Sequence, residues 1–301
     1  MRANQANKNQ TDKNQAGEHN TVLSQIKKNW MFYLAAAAVV FGIKYFFGHA
    51  DSDSLTWILA PTAWWVRSLC GLSFEYVPHV GYVSHACRFI IAASCSGVQF
   101  MMIATVMLIC SYVHRMPSKK QGLAWTALCF GTAYLSTVFV NGLRIVLSIY
   151  LPPVLPVLLH QPGLYRGWLT HERLHTVTGV TVYVTSLFVL YRVAGKAAGV
   201  MGYPQDVKLM QGVRHMQNAG TGRKKKGGSN MTRIRLRYLP PLLWYIAIVI
   251  GIPFLNRAYR NDGRQFVEFT LLIVAVCLVI ISLLFMWDMV KKFYREHIKR
   301  D

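Results

Sequence analysis

The sequence predicts an all-α fold, a polytopic helical bundle of about six to seven apolar segments set in a membrane, with a small extracytoplasmic hairpin. Three observations predict it. Hydrophobic residues make up 53% of the 301 and charged residues 15%, short of the roughly 25% charged that a soluble chain carries. Several windows exceed the ~18 apolar residues that a membrane span needs. The 33 Lys and Arg outnumber the 12 Asp and Glu, for a formal charge of +21, and they cluster between the apolar runs, as the positive-inside bias requires. That placement disfavours a nucleic-acid role, because a basic stripe needs a soluble face to present it. The spans are expected as helices, since lipid leaves backbone groups unpaired outside helices and closed barrels.

Residues 1–29 are rich in Asn, Gln and Lys with little to bury, and read as a disordered cytoplasmic tail. The membrane core is expected over 30–194. Its first run, "MFYLAAAAVVFGIKYFF", follows Lys27 and Lys28 and precedes Asp51 and Asp53. It therefore reads as an uncleaved helix running outward, despite the signal-peptidase-like "GHA" at its end. Leu55 to Gly71 is short, Trp-rich and interrupted by Pro61 and Arg67, which suits an interfacial or re-entrant helix. "LSFEYVPHVGYVSHACRF" alternates apolar and polar residues between turn formers, the pattern of a hairpin. A span from about Phe89 to Val113 leads inward to the basic "HRMPSKKQG", and Leu123 to Leu151 leads back out. "PPVLPVLLHQPGLYRGWLT" reads as a Pro-broken outer loop, and Leu174 to Val193 descends again. Residues 195–237, with "GRKKKGGSN" and "RIRLR", are expected as a basic cytoplasmic linker suited also to anionic lipid. Residues 238–301 hold two further spans, about Tyr238 to Leu255 and Phe266 to Val290.

Three polar residues in separate segments fall at one expected depth near the outer face. Cys95 lies in "IIAASCSGVQFMM", Arg144 in "VNGLRIVLSIY" and His175 in "THERLHTVTGV". Thr137, Asn141, Arg144 and Ser148, spaced by four, three and four, form a polar stripe on one helix face. A stripe of that kind belongs in the bundle interior, where an intramembrane Arg points to function. Each residue alone has a plainer reading: Cys95 as packing, Arg144 as a side chain snorkelling to head groups, His175 as a helix start. Together they make a chemical set. A thiolate attacks, a histidine moves the proton, and a guanidinium stabilises the oxyanion or clamps the substrate. Asn141 and Ser94 are candidate helpers. The remaining cysteines form no CxxC pair, so no zinc knuckle or thioredoxin-type motif is present. Cys70 and Cys87 both fall on the expected outer side, where a disulfide between them is chemically permitted.

A rival motif overlaps the third residue. "HERLH" is a literal H-E-x-x-H, which on a helix would give two zinc ligands, His171 and His175, with Glu172 as general base. Glu268 is the best remaining third ligand. A non-enzymatic transporter or assembly factor, with the stripe lining a path, is the other alternative; there Cys95 would tolerate Ser or Ala.

The trio "SCSGVQF", "NGLRI" and "HTVTG" resembles the exosortase/archaeosortase family, and the fuller run from about Phe41 to Tyr191 is most similar to its exosortase K branch. The resemblance implies a membrane-embedded cysteine protease and transpeptidase without a cofactor, with Cys95 as nucleophile, Arg144 as the arginine and His175, four residues before Gly179, as the histidine. His171 lies outside that pattern. Ser96 stands where many members carry a small residue such as Ala. The resemblance also implies secreted protein substrates with a C-terminal sorting signal: a Pro-containing motif (PEP-CTERM), an apolar helix and a basic end. It implies a bacterial inner membrane, a cytoplasmic N-terminus and a site facing the periplasm. Membrane lipid is the other expected partner. The linker and the C-terminal helices lie outside the matched run.

Overall fold

The computed structural model describes residues 29–160, 169–202 and 239–298 apart from Asp262, together with Lys27, Gly163, Tyr165 and Gly167. The expected N-terminal tail and nearly all of the basic linker lie outside the described residues. Those described form a helical membrane bundle in which five helices are long and apolar enough to cross a membrane.

α1 (Asn29–His49) is the first of the five. α2 (Thr56–Cys70) is the short Trp-rich helix; it ends at Gly71, whose amide donates to the Arg67 carbonyl at 2.8 Å. Pro61 inside it has no N–H for the Trp57 carbonyl, and the Tyr134 hydroxyl donates to that carbonyl at 2.9 Å instead. The expected hairpin is a three-stranded antiparallel meander, β1 (Glu75–Val77), β2 (Gly81–Ser84) and β3 (Phe89–Ile91). Tyr76 pairs with Tyr82, and Val83 with Ile90.

β3 corrects the expected span. The apolar "FII" at Phe89 is a strand paired to β2, a 3₁₀ turn follows over Ala93–Cys95, and α3 (Val98–Tyr112) starts only after Gly97. Gly97 adopts φ +74°, a conformation that interrupts a helix and that side-chain-bearing residues avoid. Cys95 therefore sits in a turn before α3, not inside a helix begun at Phe89. α3 itself is buried along almost its whole length. The Trp125 indole donates to its Leu108 carbonyl (3.4 Å), and the Tyr112 hydroxyl donates to the Tyr191 carbonyl (2.8 Å).

α4 (Lys119–Leu158) is capped by Ser118, whose hydroxyl accepts from the Gln121 amide at 3.2 Å. It runs straight through Pro152, Pro153 and Pro156, so the expected Pro-broken loop begins a full turn and more later. α5 (His171–Gly202) starts earlier and ends later than the pattern predicts and takes in the first residues of the expected linker. α6 (Leu239–Leu255) contains a π-helical turn at Ala247–Gly251. α7 (Gly263–Ile298) packs along α5. Cys70 and Cys87 are free thiols, so the permitted disulfide is not formed.

Candidate active site

The turn that carries Cys95 is pinned from outside the helices. The Ser52 hydroxyl accepts from the Ala93 amide (3.2 Å) and donates to the Val80 carbonyl (3.0 Å), tying the α1–α2 connection, the sheet and the cysteine turn together. Within the turn the Cys95 amide donates to the Ala92 carbonyl (2.8 Å) and the Ser96 amide to the Ala93 carbonyl (3.1 Å). The first turn of α3 follows directly, with no side-chain cap at Gly97. Its leading N–H groups are of the kind that a helix leaves without intrahelical acceptors.

The stripe on α4 faces this turn. Asn141 is fully buried, and its amide nitrogen donates to the Cys95 carbonyl at 2.5 Å. Its side-chain oxygen accepts from the Tyr183 hydroxyl at 2.9 Å. That same hydroxyl accepts from Arg144 Nη1 at 3.3 Å, while Arg144 Nη2 donates to His175 Nε2 at 2.8 Å. A guanidinium can only donate, so the Nε2 lone pair of His175 is engaged and a neutral ring carries its proton on Nδ1. The result is one continuous chain from the Cys95 backbone through Asn141, Tyr183 and Arg144 to His175.

The motif glycines make these contacts sterically feasible. A Cβ on Gly97 would sit 2.8 Å from Asn141 Cγ, and one on Gly179 would sit 3.0 Å from Arg144 Nε. Gly142 likewise lets Trp65 pack close against α4. The Arg144 charge also lies over the Tyr183 ring, 5.4 Å from its centroid, and that ring rests on Phe100 at 5.1 Å. Arg144 Nε is buried without a partner. Among the described residues no carboxylate pairs with Arg144; the ion pairs lie at Asp51, Asp53 and Glu268.

Of the residues expected from sequence, Arg144 and His175 are in direct contact, and Asn141 joins them to Cys95. The Cys95 thiol makes no hydrogen bond to His175 in this state. Ser94 is exposed and bonds to nothing described, because the 3₁₀ turn points it away. Ser96 is the serine that turns inward and is buried. Thr137 is buried but spends its hydroxyl on the Ala133 carbonyl at 2.6 Å. Tyr183 is the residue that sequence reasoning missed. Its signal was present, since His175, Gly179 and Tyr183 are spaced by four on one face of α5.

The rival zinc residues are disposed differently. His171 packs against Tyr165 with the rings tilted (centroids 4.2 Å apart), and Glu268 pairs with Arg173 at 3.1 Å. Among the described residues, metal-ligating side chains converge within ligand distance at Asp51, Asp53 and His79, on the outside of the small sheet. There the Asp53 carboxyl accepts from the Tyr76 hydroxyl (2.6 Å) and the His79 amide (2.8 Å). Those two bonds, the Tyr76 hydroxyl foremost, hold it below the usual carboxylate range. No protein-family model, curated protein or solved structure matches this chain.

Proposed function

We propose that the protein is a membrane-embedded cysteine peptidase and transpeptidase of the exosortase type. In this reading it sits in a bacterial inner membrane with its N-terminus cytoplasmic and its site toward the periplasm. Its substrates are secreted proteins whose C-terminal tail presents a Pro-containing motif, an apolar helix and a basic end. The observation that carries the reading is the buried hydrogen-bond chain linking Cys95, Asn141, Tyr183, Arg144 and His175. Two helices and a turn cooperate to build it, and burying so many polar groups in an apolar bundle is costly unless they are used.

The proposed chemistry follows the groups present. The substrate carbonyl docks between Cys95 and Arg144, and the guanidinium turns from His175 toward the carbonyl oxygen. That movement frees the Nε2 lone pair, which takes the Cys95 proton as the sulfur attacks the carbonyl carbon. Arg144 and the N–H groups leading α3 hold the oxyanion. The C–N bond then breaks, His175 returns the proton to the leaving nitrogen, and a thioester on Cys95 remains. An amine or water attacks that thioester and restores the thiol. Asn141 fixes the backbone of the nucleophile, and Tyr183 keeps Asn141 and Arg144 in register.

The zinc alternative is weaker on one count: among the described residues His171 and His175 gather no third ligand, Glu268 being paired with Arg173. A reporter with such a C-terminal tail, co-expressed with the full chain, separates the readings. Cys95→Ala is expected to lower cleavage by roughly 10⁴-fold or more, with His171→Ala within about tenfold of wild type. Cleavage that survives Cys95→Ala and stops in His171→Ala would sink the cysteine mechanism.

A further inference from the structure

The prolines ending α4 leave a chemical gap beside His175. A helical proline withholds its N–H from the carbonyl four residues earlier. For Pro61 and Pro156 a tyrosine hydroxyl stands in, Tyr134 donating to the Trp57 carbonyl (2.9 Å) and Tyr165 to the Pro152 carbonyl (2.6 Å). Pro152 in the same way withholds its N–H from the Ser148 carbonyl. The Ser148 hydroxyl is also buried without a partner. Elsewhere in the helices, Thr62, Ser68, Thr126 and Thr137 bond back to the carbonyl four residues earlier. Ser148 does not.

Ser148 borders a cavity of about 200 Å³ between α4 and α5. Leu147, Leu151 and Leu174 give it aliphatic walls, and His175 reaches it from α5. Tyr165 touches one lining residue on each helix, its hydroxyl bonded to the Pro152 carbonyl and its ring tilted against His171. The unpartnered Ser148 hydroxyl can accept from an N–H donor, and the aliphatic walls call for an apolar body. The lining holds no carboxylate to receive an ammonium. A cavity of ~150 Å³ accommodates a benzene, so one medium-sized apolar group fits.

We propose that this cavity is the amine-side site of the reaction above, taking a neutral primary amine that carries one medium apolar group. The inference rests on the peptidase reading and extends it to the second substrate. The imidazole that protonates the leaving nitrogen must later deprotonate the incoming one, so both nitrogens occupy one place beside His175. The acceptor nitrogen attacks the thioester carbonyl and its proton passes to His175. The C–S bond breaks with its electron pair on Cys95 sulfur, and the proton then moves to that sulfur, giving an amide and a free thiol.

The test uses the full-length protein in detergent micelles with a tailed reporter peptide and either leucinamide or glycinamide. Mass spectrometry gives the ratio of amide to acid product and detects acylated Cys95. Wild type should favour leucinamide over glycinamide roughly tenfold, the modest discrimination an apolar pocket provides. Leu151→Phe and Leu174→Phe fill the cavity from opposite walls. Each should erase the preference while glycinamide use stays within about twofold, and agreement between them excludes a folding defect in either. Equal use of the two amines by wild type, or a preference surviving in both variants, overturns the assignment. Absence of any acyl adduct on wild-type Cys95 overturns the peptidase reading, and this inference with it.

Discussion

α3 with its flanking 3₁₀ turns (Ala93–Arg115) and α7 are both long and apolar enough to span a membrane, yet they occupy opposite environments. Of its apolar window, α3 buries 72% inside the protein and α7 only 17%. The more apolar of the two windows is that of α7, the exposed one. In a water-soluble fold the order would be reversed. In lipid there is no hydrophobic gain from moving an apolar side chain inward, so the interior goes to helices that pack closely and carry polar work. α3 starts beside the cysteine turn and packs Phe100 on Tyr183, whereas Leu278, Val279 and Leu283 of α7 face outward. High hydropathy here marks the lipid face; moderate hydropathy with small and polar neighbours marks the site.

That contrast can be broken at several points. Phe100→Ala in α3 should cost ~3–5 kcal/mol, as for a fully buried aromatic. Leu278→Ala in α7 should stay within about 0.5 kcal/mol, both read by unfolding in mixed micelles; equal losses would end the distinction. The helix-start glycines offer a second pair. Gly97→Ala meets Asn141 and a left-handed backbone, and should slow reporter cleavage about a hundredfold, the effect of a misplaced reacting group. Gly263→Ala points from α7 into open space and should leave the rate unchanged. Two buried hydroxyls give a third. Tyr183→Phe removes a hydroxyl with two partners and should slow cleavage roughly tenfold. Thr270→Val removes a buried hydroxyl with no partner and should be neutral or mildly stabilising.

The smallest effect lies outside both helices. The Asp53 carboxyl is held below its usual range by Tyr76 and His79. A depressed folded value means that its contribution is present above the unfolded carboxylate value, ~3.9, and is lost as the pH falls through the folded value. Proteolysis of the β1–β3 sheet should therefore quicken slightly on acidification, and Asp53→Asn should remove that pH dependence.

Much of this was legible in the sequence. The spans followed from apolar length, and the stripe Thr137, Asn141, Arg144, Ser148 from helical spacing. Cys95 was grouped with that stripe but assigned to the wrong element, because a short apolar run such as "FII" reads equally as strand or helix; only the pairing with β2 decides. The prolines of α4 misled for another reason. One of their missing donors is replaced by the Tyr165 hydroxyl, a partner from beyond the helix that no local rule can supply. The two serines flanking Cys95 exchanged roles because a 3₁₀ turn rotates them differently from an α-helix. Tyr183 was hidden by its own aptness for a core, since a buried aromatic ordinarily needs no second explanation.

Arg144 brings a full positive charge into the bundle and meets no carboxylate among the described residues there. In a medium of low dielectric that charge raises the energy of the resting protein and lowers that of any state with negative charge beside it. The site thus behaves like a capacitor with one plate filled. A thiolate, an oxyanion or a bound anion supplies the second plate, and a further cation is pushed away. Whatever enters is drawn toward making negative charge at one spot, before any bond has begun to change.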